Sequence, residues 1–244
     1  MTEPRFFVSP DAIHGERVTF SPEQSRQIAR VLRLVRGNVV YALDNTGLIF
    51  TVRLEQVRPR EVWGRIVDVR EAGGEPPVHI TLYLALLKGE KMDWALQKGT
   101  EVGVSRFVPV LTERTVVRRR EKKSRWERIL QEAAEQCGRG RIPSLGEIVP
   151  LARALADVGE YDTVLIAHNG AGIAQFRDVV SAIAGRPQRV ALFIGPEGGF
   201  TEAEVASARE RGALPVHLGP RVLRAETAAV VFSALVLHLW GDVG

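Results

Sequence analysis

Apolar residues follow two different rhythms along this chain, and the change between them divides it. Up to residue 72 the apolar runs are short: Arg5–Val8, Val39–Leu43, Leu48–Val57 and Glu61–Val69, broken by Asp44-Asn45-Thr46-Gly47 and Pro59-Arg60. Short β-rich runs closed by turn residues predict a small barrel. One helix interrupts them. Ser21 is its cap, Pro22 its first residue and Gln24 the closing member of a capping box. Ile28, Val31, Leu32 and Val35 then recur at helical spacing, with Arg26, Arg30, Arg33 and Arg36 on the other faces, until Gly37-Asn38 ends the helix. The stretch Glu71–Pro77 is rich in Gly and Pro and has no period, so it reads as a linker. The predicted domains are therefore 1–72 and 73–244.

Beyond the linker, strands and helices alternate. Val78–Leu87, Phe107–Leu111, Tyr161–Ala167, Val190–Ile194 and Val216–Leu218 read as strands. Met92–Val102 and Ser124–Cys137 read as helices, the second with Trp126, Ile129, Leu130 and Ala133 on one side. Thr201, with Glu204 three residues on, opens another. This alternation predicts a parallel α/β sheet. The last helix, Ala228–Trp240, is apolar almost all round. Such a helix must be covered on every side, and one sheet covers only one. A homodimer through the C-terminal domain is the expected cover.

Three strands end in turns that contain glycine: His168-Asn169-Gly170, Gly195-Pro196-Glu197-Gly198-Gly199 and Gly219-Pro220. Glycine permits positive φ and a close backbone approach. Repeated at strand ends, such turns point to a ligand at the carboxyl edge of the sheet. The ligand is not bound through a phosphate loop, because no Lys-Ser or Lys-Thr follows GPEGG, and G-x-G-x-x-G is absent there. A glutamate inside the turn also argues against polyphosphate.

Composition narrows the class. A chain of 244 residues, 45% hydrophobic and 25% charged, has the make-up of a globular protein. Its longest apolar run is too short to span a bilayer, and MTEPRFF lacks the layout of a secretion signal, so a cytoplasmic location is expected. One cysteine, Cys137, allows no internal disulfide, and no histidines stand at metal-ligand spacing, so no metal is expected. Net charge is +4, yet the cations are uneven: seven of the twelve residues from Arg114 to Arg125 are basic, against one acid. A charge run is usually a solvated loop, but beside an arginine-bearing barrel this one suits a phosphate backbone.

The sequences GPEGGFTEAE and LGPRVLRAETA, with VLRL at 31–34, GEKMDWALQKGTEVGV at 89–104, ERTVV at 113–117 and EAAEQCGR at 132–139, resemble the RsmE family of SPOUT RNA methyltransferases over essentially the whole chain. Gln27 stands where that family often has histidine. The resemblance implies a PUA-like β-barrel followed by an α/β trefoil-knotted methyltransferase domain. It also implies a homodimer that uses S-adenosylmethionine to methylate uridine N3 in 16S ribosomal RNA of the 30S subunit, leaving S-adenosylhomocysteine.

On that reading the turns hold the cofactor largely through backbone groups: Gly195, Pro196, Glu197, Gly198 and Gly199 in one, and Gly219, Arg224, Ala225, Glu226 and Thr227 around the other. Ile194, Leu218 and Leu223 form an apolar wall for adenine, with Ala167 and His168 at the third strand end. Uridine N3 becomes nucleophilic once its proton leaves and charge spreads onto the flanking carbonyls, so an arginine and a proton acceptor are needed. The resemblance places Arg5, Arg33 and Arg139 near the RNA base or phosphates as the catalytic arginines, and Glu197 and Glu226 are candidate bases. Arg30, Arg36, Lys88, Lys91, Arg114, Arg118, Arg119 and Arg120 are the expected RNA contacts. Two other classes stay open: a non-catalytic RNA-binding assembly factor, and a transferase holding a nucleotide phosphate in the 195–199 turn.

Neutralising Arg118, Arg119 and Arg120 together is expected to weaken RNA binding and to reduce its salt slope by about 0.7–0.9 per lost contact, with cofactor affinity unchanged. Filter binding across a KCl series checks this, and unaltered affinity at low salt would make the run a plain solvated loop.

Overall fold

The computed structural model describes residues 3–116 and 123–244; Arg118, Arg119 and Arg120 lie outside the described residues. Two compact units divide the chain. One is the chain up to Glu75 together with Ala134–Ile142, and the other is Pro76–Ala133 with Pro143–Gly244.

The first unit is built on a six-stranded sheet. Its strands are β1 (Arg5–Phe7), β2 (Ile13–His14), β3 (Arg17–Phe20), β4 (Val39–Leu43), β5 (Leu48–Arg58) and β6 (Glu61–Glu71), in the order β1-β4-β5-β6-β3-β2. β1 pairs with β4 in parallel, and the remaining pairs are antiparallel. Alternation decides which side chains go inward. Phe6, Val18, Phe20, Val40, Ala42, Val52, Leu54 and Val62 form the core, with Ile28 dropped into it from the helical segment. Ser25 serves that core too, its hydroxyl donating to the Phe20 carbonyl and accepting from Val62 N–H.

Helix α1 (Pro22–Arg26) begins as the sequence predicts, with Ser21 and Gln24 closing a reciprocal capping box. It does not continue to Val35. A wide π turn spans Gln27–Val31, and Arg33 then takes a left-handed φ of 53°. The expected apolar face therefore breaks up: Ile28 is buried, whereas Val31 is 71% and Val35 61% exposed.

Ala134–Ile142, which the sequence places with residues 73–244, groups with the first unit for visible reasons. Ala134 packs with Phe7, Leu43 and Ile49, and Ile142 lies against the same cluster. The Glu135 carboxylate accepts Phe7 N–H at 2.9 Å, and the Arg139 guanidinium meets Glu75 at 2.7 Å.

In the second unit β7 (His79–Ala85), β8 (Arg106–Leu111), β9 (Ser144–Leu145), β10 (Val149–Pro150), β11 (Thr163–Ala167), β12 (Ala174–Gln175), β13 (Arg189–Ile194) and β14 (Leu214–His217) form one sheet. The order is β10-β8-β7-β13-β11-β14-β12, with β9 also on β8, and every pair is parallel. β7, β13 and β11 are buried along nearly their whole length, which explains why they read as continuous apolar runs. The helices are α2 (Lys91–Val102), α3 (Lys123–Cys137, whose last turn belongs to the first unit), α4 (Leu151–Ala154), α5 (Phe176–Ser181), α6 (Glu202–Glu210) and α7 (Ala225–Trp240). Among the described residues, no helix is long and apolar enough to cross a membrane.

α7 starts three residues earlier than expected and packs on α2, β7 and β13. Phe232, Ser233, Val236 and Leu237 are fully buried there, each apolar one stabilising the fold by roughly 1.5–3 kcal/mol. The helix is not buried all round. Val231 and Leu235 are half-buried and Leu239 is 47% exposed, leaving a stripe outward.

Candidate active site

A cleft of about 590 Å³ opens at the carboxyl ends of β11, β13 and β14, within the range of small-molecule sites. Parallel pairing brings those three ends to one edge, so three connections separated in sequence converge. After β11 come Ala167, His168 and Asn169; after β13, Ile194 to Phe200; after β14, Leu218 and Arg221 to Ala225.

The β13 connection is tight. Gly199 N–H donates to the Pro196 carbonyl at 2.8 Å, and Gly199 holds φ at 68°, where a β-branched residue is strained. A Cβ on Gly195 would lie 3.1 Å from the Gly199 carbonyl carbon and from the Phe200 nitrogen, so a larger residue there would push the turn open by a few tenths of an ångström. Gly198 is different. Its φ is not positive, and a Cβ would meet only the Arg114 stem at 3.4 Å. Helix α6 follows at once, with Thr201 and Glu204 forming the predicted capping box.

Charged side chains fix this turn from outside. The Arg114 guanidinium donates to the Gly198 carbonyl at 2.7 Å, and Lys91 Nζ lies 2.9 Å from Glu197 Oε1. Both cations were expected on RNA, and both line the cleft. Lys88 remains exposed, its backbone N–H directed at the Glu197 carboxylate. Burial pushes the Glu197 carboxyl up, but hydrogen bonds from Lys91 and from backbone N–H groups, with the Lys91 charge, outweigh it and leave the group below its ordinary 4.5. A carboxylate held ionised in this way is a weaker base than a free one. Glu226 does not line the cleft, and its Oε2 is buried without a hydrogen-bond partner in the first turn of α7.

Of the expected cofactor residues, Ala167, His168, Ile194, Gly195, Pro196, Glu197, Gly198, Gly199, Leu218, Leu223, Arg224 and Ala225 line the cleft; Gly219, Glu226 and Thr227 do not. Phe200, Glu202, Val216, Arg221 and Val222 line it as well. Their place beside the three turns was the only signal the sequence offered. Glu202 is engaged by His168, Nε2 to Oε1 at 3.1 Å.

The three arginines assigned to catalysis all belong to the first unit. Arg5 packs on Gly138, next in sequence to Arg139, with its guanidinium 5.9 Å from the Tyr41 ring centre. Arg139 is only 4% exposed and faces Glu75, so it orders the 134–142 segment and is not a solvent-facing contact. Arg33 is exposed. Arg30 and Arg36 are exposed as well, Arg36 with a weak pair to Glu55 at 3.4 Å.

Residues 74–237 match the model of the RNA methyltransferase domain. The ribosomal RNA small subunit methyltransferase E of Bacillus subtilis is 32% identical, the match covering 87% of each chain. Two solved structures superpose over 100% of both chains with TM-scores of 0.90. One is a methyltransferase of Legionella pneumophila with bound S-adenosylmethionine, 34% identical. The other is the ribosomal RNA small subunit methyltransferase E of Neisseria gonorrhoeae bound to S-adenosylmethionine, 31% identical.

The Lys91–Glu197 pair makes a testable claim about pH. Because the folded-state pKa of Glu197 is depressed, whatever the pair contributes is present above the ordinary carboxylate range and lost as pH falls through the depressed value. NMR titration of the Glu197 carboxyl carbon is expected to give a midpoint below 4.5, and Lys91→Met is expected to move it upward. An unmoved midpoint in the variant would remove Lys91 as the cause.

Proposed function

This chain belongs to the RNA methyltransferase family, and we propose that it methylates N3 of a uridine in 16S ribosomal RNA of the 30S subunit, with S-adenosylmethionine as donor. The observation behind this reading is the glycine-built cleft at the joint edge of β11, β13 and β14. Its lining suits a neutral, flat adenosine and a short amino acid better than a polyphosphate. Ile194, Val216, Leu218 and Leu223 supply apolar wall, and close backbone approach at Gly195 and Gly199 leaves main-chain groups to bind polar edges. Arg114 and Lys91 hold the turn in shape by contacts already made within the protein.

When bound, S-adenosylmethionine supplies an electrophilic methyl group on a cationic sulfur. The protein's part is to orient it, exclude water and favour the deprotonated uridine. Arg5 and Arg33 are assigned to the RNA, where a guanidinium stabilises phosphate or the charge spread over the uracil carbonyls. Arg139 supports them by tying the 134–142 segment to Glu75. Residues 1–72 are assigned as a PUA-like RNA-binding barrel, and 73–244 as a trefoil-knotted SPOUT domain acting in the cytoplasm.

Gly199→Val is expected to lower S-adenosylhomocysteine affinity at least about tenfold, because φ of 68° excludes a β-branched residue, whereas Gly198→Ala is expected to be mild. Calorimetry on folded variants measures this, with methylation of 30S subunits followed by nucleoside mass spectrometry as the functional test. Absence of 3-methyluridine in the product would sink the assignment.

The outward stripe of α7 is assigned to a homodimer. Leu239→Glu is expected to give a folded, inactive monomer by light scattering, while Val236→Glu, aimed at a fully buried position, is expected to unfold. A wild type active as a monomer would overturn the dimer.

A further inference from the structure

The segment from Arg30 to Arg36 costs the first unit strain and gives its core little. Leu32 N–H donates to the Gln27 carbonyl at 2.9 Å, and Leu34 N–H reaches back to Ile28 at 3.0 Å. That second bond spans six residues and closes around a left-handed residue, a place that glycine ordinarily takes where a helix ends. Here it is Arg33, at φ 53°. An L side chain is strained in that region, and strain of this kind tends to persist where a function uses the side chain. The Arg33 side chain is exposed and makes no hydrogen bond or ion pair among the described residues.

Its neighbours are equally unusual. Val31 and Val35 stand 71% and 61% exposed beside it, and Leu32 is 37% exposed. Arg30 and Arg36 flank them, and no acid occurs from Arg26 to Asn38. The shape is preset: Ile28 roots the segment in the core, the Asn38 side chain accepts Val35 N–H at 2.8 Å, and Gly37 N–H binds the Leu54 carbonyl at 2.7 Å. A rigid apolar knob between three cations calls for a partner that is both polyanionic and locally apolar. A regular RNA duplex offers only phosphate, ribose and groove edges; an unpaired nucleotide also exposes the flat face of its base.

We propose that this knob docks an unpaired nucleotide of the RNA substrate, Val31 and Val35 packing against the base while Arg30, Arg33 and Arg36 take the flanking phosphates. The proposal rests on the RNA methylation reading and names how the substrate is engaged. Arg33 is thereby a docking residue on the RNA, distinct from any group that moves a proton.

Three variants test it on the full-length protein, with 30S subunits lacking the modification as one probe and oligouridylate against an RNA duplex of equal length as the other. Val31→Ser/Val35→Ser is expected to lower affinity for 30S about tenfold at every KCl concentration with the salt slope unchanged, and to erase a preference for the single strand. Arg30→Gln/Arg36→Gln is expected to reduce the slope by about 1.4–1.8. Arg33→Gly is expected to weaken RNA binding severalfold while Tm stays level or rises, since glycine relieves the left-handed strain. S-adenosylhomocysteine affinity is expected to be unchanged in all three. Wild-type affinity in the valine pair, or a lower Tm for Arg33→Gly, would overturn the proposal, the second by making the residue structural. Methylation by the wild type is scored separately. If 30S binding depends on the knob but no 3-methyluridine forms, the catalytic reading fails and the docking site stands.

Discussion

Because all the strands of the second unit run the same way, everything done after a strand is done at one edge. A parallel pair cannot be closed by a short hairpin, so each connection must leave the sheet and return through a crossover. That constraint places the ends of β11, β13 and β14 side by side although about fifty residues separate the first end from the last. It also buries β7, β13 and β11 on both faces, so most of their side chains are apolar. Chemistry is left to the turns, and a turn can present its backbone to a small molecule only if its own side chains stay out of the way. Glycine at 195 and 199 meets that requirement, and Arg114 and Lys91 hold the result from outside.

Much of this could be read from the chain because buried parallel strands and capped helices leave strong local marks. The apolar runs, the Ser21 and Thr201 boxes and the glycine turns all depend on neighbours a few residues away. What could not be read depended on distant partners. Nothing near Arg114 says that its guanidinium will find a carbonyl 84 residues later. Nothing near Ala134 says that it will fill a hole between Phe7 and Leu43. Periodicity also misled at Val31 and Val35, whose spacing matches a buried helical face while the backbone had already left the helix. In the glycine turn, composition gave three permissive positions and only the dihedrals singled out Gly199.

Electrostatics sorts the basic residues into two populations. Arg139, Arg114 and Lys91 are engaged by Glu75, Gly198 and Glu197, and their charge is used to fix backbone. Arg30 and Arg33 face water. A modest net charge of +4 thus conceals cations of two kinds, some spent on holding the fold and others left on the surface.

The grouping of Ala134–Ile142 with a unit that otherwise ends at Glu75 bears on how the protein is made. On a ribosome the chain emerges from its N-terminus, so the strands of the first unit are synthesised well before the segment that covers Phe7, Leu43 and Ile49. At ~5–20 residues per second the wait is on the order of several seconds, during which those side chains lack Ala134 and Ile142. The unit that is begun first is therefore completed only after residues 134–142 have been made, and until then the nascent chain holds an open apolar seam at Phe7, Leu43 and Ile49.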